Sequence, residues 1–212
     1  MDLMQQLAEA LQKGDAGLVS NLTEQAIRES VGAKDILNNG LLAGMAVVGE
    51  KFKAHEIFLP HVLLAAKAMY AGMDLLKPLL IKDGIPTLGK VVIGTVKGDL
   101  HDIGKNLVGI MLKGAGFDVI DLGKDVAPER FIEAAENENA QIIGMSALLT
   151  TTMQVMKEVI ELARGRGLFG KVKFIIGGAA LSKEYAQQIG ADAYCFDAMN
   201  AVDCVKGFIG AR

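Results

Sequence analysis

The feature that most constrains this chain is a change of sequence pattern between residues 82 and 90. Before it, apolar residues recur every three or four positions, most clearly between Leu59 and Leu80, which is the period of amphipathic helices. After it, short β-rich runs such as KVVIGTV and VKFIIGG alternate with helical stretches. The turn KDGIPTLGK separates the two patterns and carries two glycines and a proline. We therefore expect two domains, residues 1–85 and 88–212.

Each half predicts a different architecture. The first half contains four amphipathic segments, with Asp15 predicted to cap the second helix and Asp35 predicted to open the third. Short connections between four such helices favour a small bundle. In the second half, five strands alternating with helices indicate a parallel sheet covered on both faces. The expected fold class is thus α plus α/β, a four-helix bundle followed by a five-stranded doubly wound domain of the Rossmann-like or flavodoxin-like kind.

Charge and hydropathy exclude several classes of partner. The formal net charge is −3 and no stretch is strongly basic, so nothing would attract a nucleic-acid backbone. The longest apolar segment, residues 59–81, is interrupted by His61, Lys67, Asp74 and Lys77, which argues against a membrane span. The amino terminus lacks the pattern of a signal peptide. We expect a cytoplasmic protein that binds neither nucleic acid nor membrane.

The most informative loop follows the first predicted strand, because ligands of open α/β sheets bind beyond the carboxyl ends of strands. It reads GTVKGDLHDIGKN and contains His101, the only histidine of the second half. A ligating imidazole needs its second nitrogen held by an oxygen acceptor, and Asp99 stands two residues away. No further His or Cys lies nearby at zinc-ligand spacing, so a single protein ligand suits a metal held in a macrocycle. Spacing alone is equally compatible with a solvated loop histidine.

Three motifs resemble those of one family. The segment DLHDIGKN resembles the DxHxxG motif of cobalamin-binding domains, Ser146 and Leu148 resemble its SxL motif, and Gly177 and Gly178 resemble its GG motif. In the first half, AGMAVVGEKF and EIFLPHVLLAAKAM resemble the helical cap beside the cobalamin domain of methionine synthase and of methyltransferase corrinoid proteins. The chain therefore resembles corrinoid methyl-carrier proteins over nearly its whole length.

The resemblance implies roles for particular residues. His101 would be the lower cobalt ligand, Asp99 would accept a hydrogen bond from its other nitrogen, and Thr152 stands where methionine synthase has a serine that completes this relay. The other residues implied to bind the cofactor are Gly98, Leu100, Asp102 and Gly104 in the loop, Ser146, Leu148, Thr150, Gly177, Gly178 and Ala198 around the nucleotide tail, and Phe52 and Leu59 over the methyl group. Ordinary turn glycines and plain bundle core are the competing explanations for the glycines and the cap pair.

The implied function is a methyl shuttle in which the cofactor alternates between cob(I)alamin and methylcob(III)alamin. A substrate-specific methyltransferase would supply the methyl group from methanol, a methylamine, a methyl thiol or a methoxyaromatic compound. A second methyltransferase would pass it to tetrahydrofolate or a thiol such as coenzyme M, and a reductive activase would restore the cofactor. The chain would be a carrier subunit without a complete active site of its own.

Three alternatives remain at this stage. A cobalamin-dependent sensor would pair the same two domains, although such regulators usually add a DNA-binding module. The cobalamin subunit of a mutase would have the DxHxxG domain without the helical cap. A flavodoxin-like nucleotide-binding module would need a phosphate loop, and the first loop has neither GxGxxG nor the P-loop pattern.

Overall fold

The structure is a computed structural model that describes residues 2–210. Met1 and residues 211–212, at the outer ends of the two predicted domains, lie outside the described residues. The chain divides into two compact units that meet in the sequence between Pro86 and Thr87. No helix in the described range has the length and apolarity needed to cross a membrane.

The first unit is entirely helical. Its elements are α1 (Leu3–Gln12), α2 (Ala16–Arg28), α3 (Ala33–Asp35), a π-helical segment (Ile36–Leu42), α4 (Ala43–Lys53) and α5 (Leu59–Lys82). Asp15 caps α2, as predicted, because its carboxylate accepts a hydrogen bond of 2.9 Å from the Leu18 N–H. Side chains such as Leu7, Leu76 and Val62 are fully buried in the core of this unit.

The predicted start of the third helix is wrong. The helix begins at Ala33 after Gly32, and the Asp35 side chain makes no capping hydrogen bond. The physical reason is that the helical path starts two residues earlier and continues without a break through the π-helical segment into α4. Asp35 therefore lies inside the first turn, where a carboxylate faces the positive end of the helix dipole.

The second unit is a doubly wound α/β domain, which confirms the predicted fold class. Its strands are β1 (Lys90–Thr95), β2 (Asp118–Asp121), β3 (Ile142–Ser146), β4 (Lys173–Gly177) and β5 (Ala193–Tyr194). Its helices are α6 (Ile103–Gly114), α7 (Pro128–Glu138), α8 (Gln154–Gly165), α9 (Lys183–Ile189) and α10 (Ala198–Ile209). All five strands are parallel, in the order β2-β1-β3-β4-β5. Strand residues such as Val92, Ile143 and Phe174 are fully buried, as expected for a sheet covered on both faces.

The strand order places the candidate loop at the switch point of the sheet. The chain leaves β1 toward β2 on one side and later returns to β3 on the other, so the connections diverge between β1 and β3. The last residues of these two strands, Thr95 and Ser146, are direct neighbours in the register. The loop that follows β1 and the loop that follows β3 therefore emerge side by side.

Candidate cofactor site at the carboxyl edge of the sheet

The centre of the site is the pair formed by His101 and Asp99 in the loop between β1 and α6. Nδ1 of His101 lies 2.7 Å from Oδ1 of Asp99, and the same oxygen accepts the His101 backbone N–H at 3.0 Å. Asp99 is fully buried, whereas 54% of the His101 side chain is exposed. The pair thus fixes the tautomer with the proton on Nδ1 and leaves Nε2 as the ring nitrogen that carries a lone pair.

The second oxygen of Asp99 is held by the loop that follows β3. Oδ2 accepts the backbone N–H groups of Leu148 at 2.8 Å and Leu149 at 3.2 Å. It also accepts the hydroxyl of the buried Thr152 at 2.8 Å. This loop and the histidine loop are joined through one carboxylate, so the strand order alone brings His101 and the SxL segment together.

These contacts determine the charge state of Asp99. Burial disfavours the carboxylate, but hydrogen bonds from the His101 N–H, the Thr152 hydroxyl, the His101 ring and the Leu148 N–H outweigh it. Together they hold the pKa of Asp99 well below its ordinary value. Asp99 is therefore an anion at neutral pH, and by accepting the hydrogen of Nδ1 it orients the ring so that Nε2 is the nitrogen whose lone pair is available to a metal.

Two polar side chains outside the predicted set also hold the histidine loop. The buried Thr95 hydroxyl donates to the His101 carbonyl at 3.1 Å. Asp125, after β2, accepts the Gly98 N–H on its carboxylate at 2.7 Å, and its own N–H donates to the Asp99 carbonyl at 3.1 Å. Sequence reasoning missed both residues. The signal for Asp125 was available, since it follows a strand whose carboxyl end lies at the same edge of the sheet.

The surroundings of two glycines of the site, Gly178 and Gly104, differ in whether they require a residue without a side chain. Gly178 has φ +140°, and a Cβ there would lie 1.8 Å from the Ala147 carbonyl oxygen. Packing between the β3 and β4 loops therefore requires this glycine even without a ligand. At Gly104, in the first turn of α6, a Cβ would meet nothing within 4 Å, so the surrounding protein gives no reason for a glycine there.

The surface around His101 fits a flat, largely apolar macrocycle. Four apolar side chains of the loops after β1 and β3 are strongly exposed: Leu100 at 62%, Ile103 at 75%, Leu148 at 40% and Leu149 at 43%. Such a group of exposed apolar side chains at the mouth of an α/β sheet is typical of a ligand site. Within residues 2–210, no group of three His, Cys, Asp or Glu side chains could hold a metal ion. His101, as a single half-exposed imidazole, is suited to a metal that brings its other ligands with it.

The remaining predicted residues are distributed over both units. Asp102 precedes α6, and its carbonyl accepts the Asn106 N–H at 2.8 Å. Ser146 ends β3, Gly177 ends β4, Thr150 is exposed in the loop after β3, and Ala198 is buried at the start of α10. Phe52 and Leu59 belong to the helical unit, in the last turn of α4 and at the first residue of α5, and both are half-buried.

Comparisons with known proteins agree with this architecture. A family model described as a B12 binding domain matches residues 89–203, and a second model with the same description matches residues 3–77. A dimethylamine corrinoid protein of Methanosarcina barkeri is 46% identical over 206 residues, which cover 97% of this chain and 96% of the relative. This chain belongs to the cobalamin-binding corrinoid proteins. A corrinoid protein of Desulfitobacterium hafniense is 41% identical over 99% of both chains.

The solved structures place this corrinoid protein in the same family. It superimposes on a chain of the methanol:cobalamin methyltransferase complex of Methanosarcina barkeri with a TM-score of 0.90 and 32% identity, covering 99% of this chain and 80% of that one. A cobalamin-binding protein of Desulfitobacterium hafniense matches with a TM-score of 0.78 and 32% identity over 98% of both chains. The cofactor of this corrinoid protein is therefore a cobalamin-type corrinoid.

Proposed function

We propose that this corrinoid protein carries a methyl group on cobalt between two partner methyltransferases, with His101 as the protein ligand of the cobalt. The observation that carries the proposal is the Asp99–His101 pair, which fixes the imidazole through Nδ1, so that Nε2 of this half-exposed side chain is the nitrogen that could bind a metal. When bound, the corrinoid supplies a metal that accepts a methyl group and releases it to an acceptor. The protein holds the imidazole, keeps its tautomer and presents an apolar surface around it.

The other contacts of the site support a division of work among its residues. Asp99, held as an anion by Thr152 and the Leu148 N–H, would orient His101 by accepting the hydrogen of Nδ1. Leu100, Ile103 and Leu148 would contact the macrocycle, and Gly104 leaves room for it. Gly98, Asp102, Ser146, Thr150, Gly177, Gly178 and Ala198 complete the proposed cofactor-binding set. Phe52 and Leu59 of the helical unit would shield the methyl group.

We propose a methylamine as the methyl donor. The dimethylamine corrinoid protein of Methanosarcina barkeri is 46% identical to this chain, and a trimethylamine corrinoid protein of Methanosarcina mazei is 41% identical over 97% of this chain. The chain from the methanol:cobalamin methyltransferase complex is 32% identical. A carrier must match the docking surface of its methyltransferase, so greater identity favours the amine systems. The donor pocket itself would belong to that partner.

The cofactor experiment uses hydroxocobalamin with purified wild-type protein and the His101→Ala variant. Each is mixed with the cofactor, desalted, and examined by absorption spectroscopy. We expect wild type to retain cobalamin with the spectrum of histidine ligation, and His101→Ala to retain cobalamin without it. A wild-type protein that elutes colourless, or an unchanged spectrum in the variant, would contradict His101 ligation.

The donor experiment separates the partner systems. Cobalamin-loaded protein is reduced by a reductive activase and incubated with either a dimethylamine or a methanol methyltransferase and its substrate. We expect methylation of the corrinoid only with the amine system, seen as a change in the absorption spectrum. Faster methylation with methanol would overturn the assignment of the donor. The methylated protein is then given acceptor methyltransferases specific for tetrahydrofolate or coenzyme M to identify the acceptor.

A further inference from the structure

Asp125, like Thr95, holds the histidine loop although it lies outside the three motifs of the site, and it does so from a different loop. It stands in the connection between β2 and α7, and its side chain is exposed. Packing in a buried environment therefore does not explain the backbone conformation of Asp125. Its backbone has φ +56°, in the left-handed region that residues other than glycine seldom adopt. Asp and Asn tolerate this region better than other side chains, and such a residue in an ordered loop invites a functional explanation.

The contacts of Asp125 provide that explanation. Its carboxylate accepts the Gly98 N–H at 2.7 Å, and its backbone N–H donates to the Asp99 carbonyl at 3.1 Å. The two hydrogen bonds flank the Gly98–Asp99 peptide, so the main chain is pinned immediately before the residue that orients His101. The left-handed backbone lets one residue present its side chain and its N–H to the same segment.

Asp99 is consequently held from two sides. Its side chain is anchored on the Leu148 N–H and the Thr152 hydroxyl of the loop after β3, and its main chain is anchored on Asp125 of the loop after β2. Releasing the Asp125 contacts would loosen the main chain at the Gly98 N–H and the Asp99 carbonyl while leaving the carboxylate anchored. The imidazole could then tilt, because the orientation of a ligand depends on how firmly its supporting groups are fixed.

We propose that Asp125 is a positioning residue that keeps the His101 loop in the conformation able to ligate cobalt. This rests on the proposed ligand role of His101, and it adds a support from a third loop of the sheet edge. Asp125 acts through the backbone of Gly98 and Asp99, without contact with the cofactor.

The test uses variants that separate the carboxylate from the backbone conformation. Asp125→Gly accepts the left-handed backbone without strain and removes the acceptor. Asp125→Asn tolerates the same backbone and keeps an oxygen that can accept the Gly98 N–H. Lys124→Ala, at the exposed neighbour in the same loop, is the matched control.

The first measurement is amide hydrogen exchange in the protein without cofactor. We expect exchange at Gly98 to be roughly tenfold faster in Asp125→Gly, the factor expected for loss of one hydrogen bond, and near wild type in Asp125→Asn and Lys124→Ala. Exchange at the N–H of Phe174, in β4, should be unchanged in every variant. This N–H donates to the Asp192 carboxylate, a contact that none of the substitutions changes. Unchanged exchange at Gly98 in Asp125→Gly would contradict the contact itself.

The second measurement is the fraction of histidine-ligated cobalamin in each loaded variant, from the absorption spectrum. We expect Asp125→Gly to retain cobalamin with a clearly lower ligated fraction, and Asp125→Asn and Lys124→Ala to match wild type. A wild-type fraction in Asp125→Gly would overturn the positioning role while leaving His101 ligation intact. Absence of ligation in wild type would instead contradict the proposed function, so the two failures are distinguishable.

Discussion

The Thr152 hydroxyl and the Asp99 carboxylate lie 2.8 Å apart although 53 positions separate them in the chain. The same hydroxyl contacts the Leu149 carbonyl at 3.0 Å, so its single proton is shared between two acceptors. Thr152 is buried, and its methyl group faces Gly98, where an added Cβ would lie 3.4 Å from it. The residue thus serves the site through its hydroxyl and packs against the histidine loop through its methyl group.

Substitution of Thr152 should separate these two contributions. Thr152→Val keeps the shape and removes the donor to a buried carboxylate, which should lower the free energy of unfolding by about 2 kcal/mol. Thr152→Ser keeps the hydroxyl donor and should lower the free energy of unfolding by less than Thr152→Val does. Urea unfolding of the cofactor-free variants measures both values. A larger loss in Thr152→Ser than in Thr152→Val would assign the stability to the methyl group instead of the hydroxyl.

The pH dependence of stability should report the Asp99 charge. Hydrogen bonds hold the pKa of Asp99 below its ordinary value in the folded state. The contribution of the Asp99 charge to the free energy of unfolding is therefore complete above about pH 4. As pH falls further, the unfolded state takes up the proton first and the contribution is lost. The difference in unfolding free energy between wild type and Asp99→Asn should therefore decrease as pH falls from about 4 to about 3. A difference that stays constant down to pH 3 would contradict a lowered pKa of Asp99 in the folded state.

Gly178→Ala should destabilise the protein before any cofactor is present. The new Cβ would overlap the Ala147 carbonyl oxygen, and the backbone at φ +140° is unfavourable for alanine. We expect a loss of about 3 kcal/mol or more in the free energy of unfolding. Thermal unfolding of the cofactor-free protein is the measurement. A variant as stable as wild type would show that the loops after β3 and β4 can separate at little cost.

Gly104→Ala, unlike Gly178→Ala, should weaken cobalamin retention without lowering stability. Nothing in the protein lies within 4 Å of the added Cβ, and alanine favours a helix over glycine by roughly 1 kcal/mol. We therefore expect unchanged or slightly higher stability together with weaker cobalamin retention, if the macrocycle lies against this turn. Thermal unfolding and a desalting assay measure the two effects. Full retention by a stable variant would remove Gly104 from the proposed cofactor-binding set.

Removing Asp121 from its ion pair with Lys105 should lower stability more than removing Lys105. Only 3% of the Lys105 side chain is exposed against 37% for Asp121, and Nζ lies 2.6 Å from both carboxylate oxygens. Asp121→Ala leaves a buried ammonium whose remaining partner among residues 2–210 is the neutral Asn106 side-chain oxygen, and it should cost about 3 kcal/mol. Lys105→Met leaves an anion that water can reach and should cost less. Urea unfolding of both single variants and the double variant tests this. A smaller loss for Asp121→Ala than for Lys105→Met would contradict the burial argument.

The sequence by itself determined the two architectures and the residues of the central pair. Hydrophobic period and strand–helix alternation are local properties, so they predicted the helical first half and the five parallel strands. The DLH spacing likewise placed Asp99 within reach of His101, because two residues on one loop cannot lie far apart. The start of the third helix was missed because Asp35 has the chemistry of a cap, while the helix begins at Ala33.

Only the tertiary structure decided how the pair is supported. The order β2-β1-β3 brings the loops after β2 and β3 to either side of the histidine loop. Asp125, Leu149 and Thr152 therefore reach Asp99 or its neighbours across long stretches of chain. The structure also assigned Gly178 to contact with Ala147 and left Gly104 in open space. These outcomes depend on which strand ends are neighbours, which no local spacing in the sequence specifies.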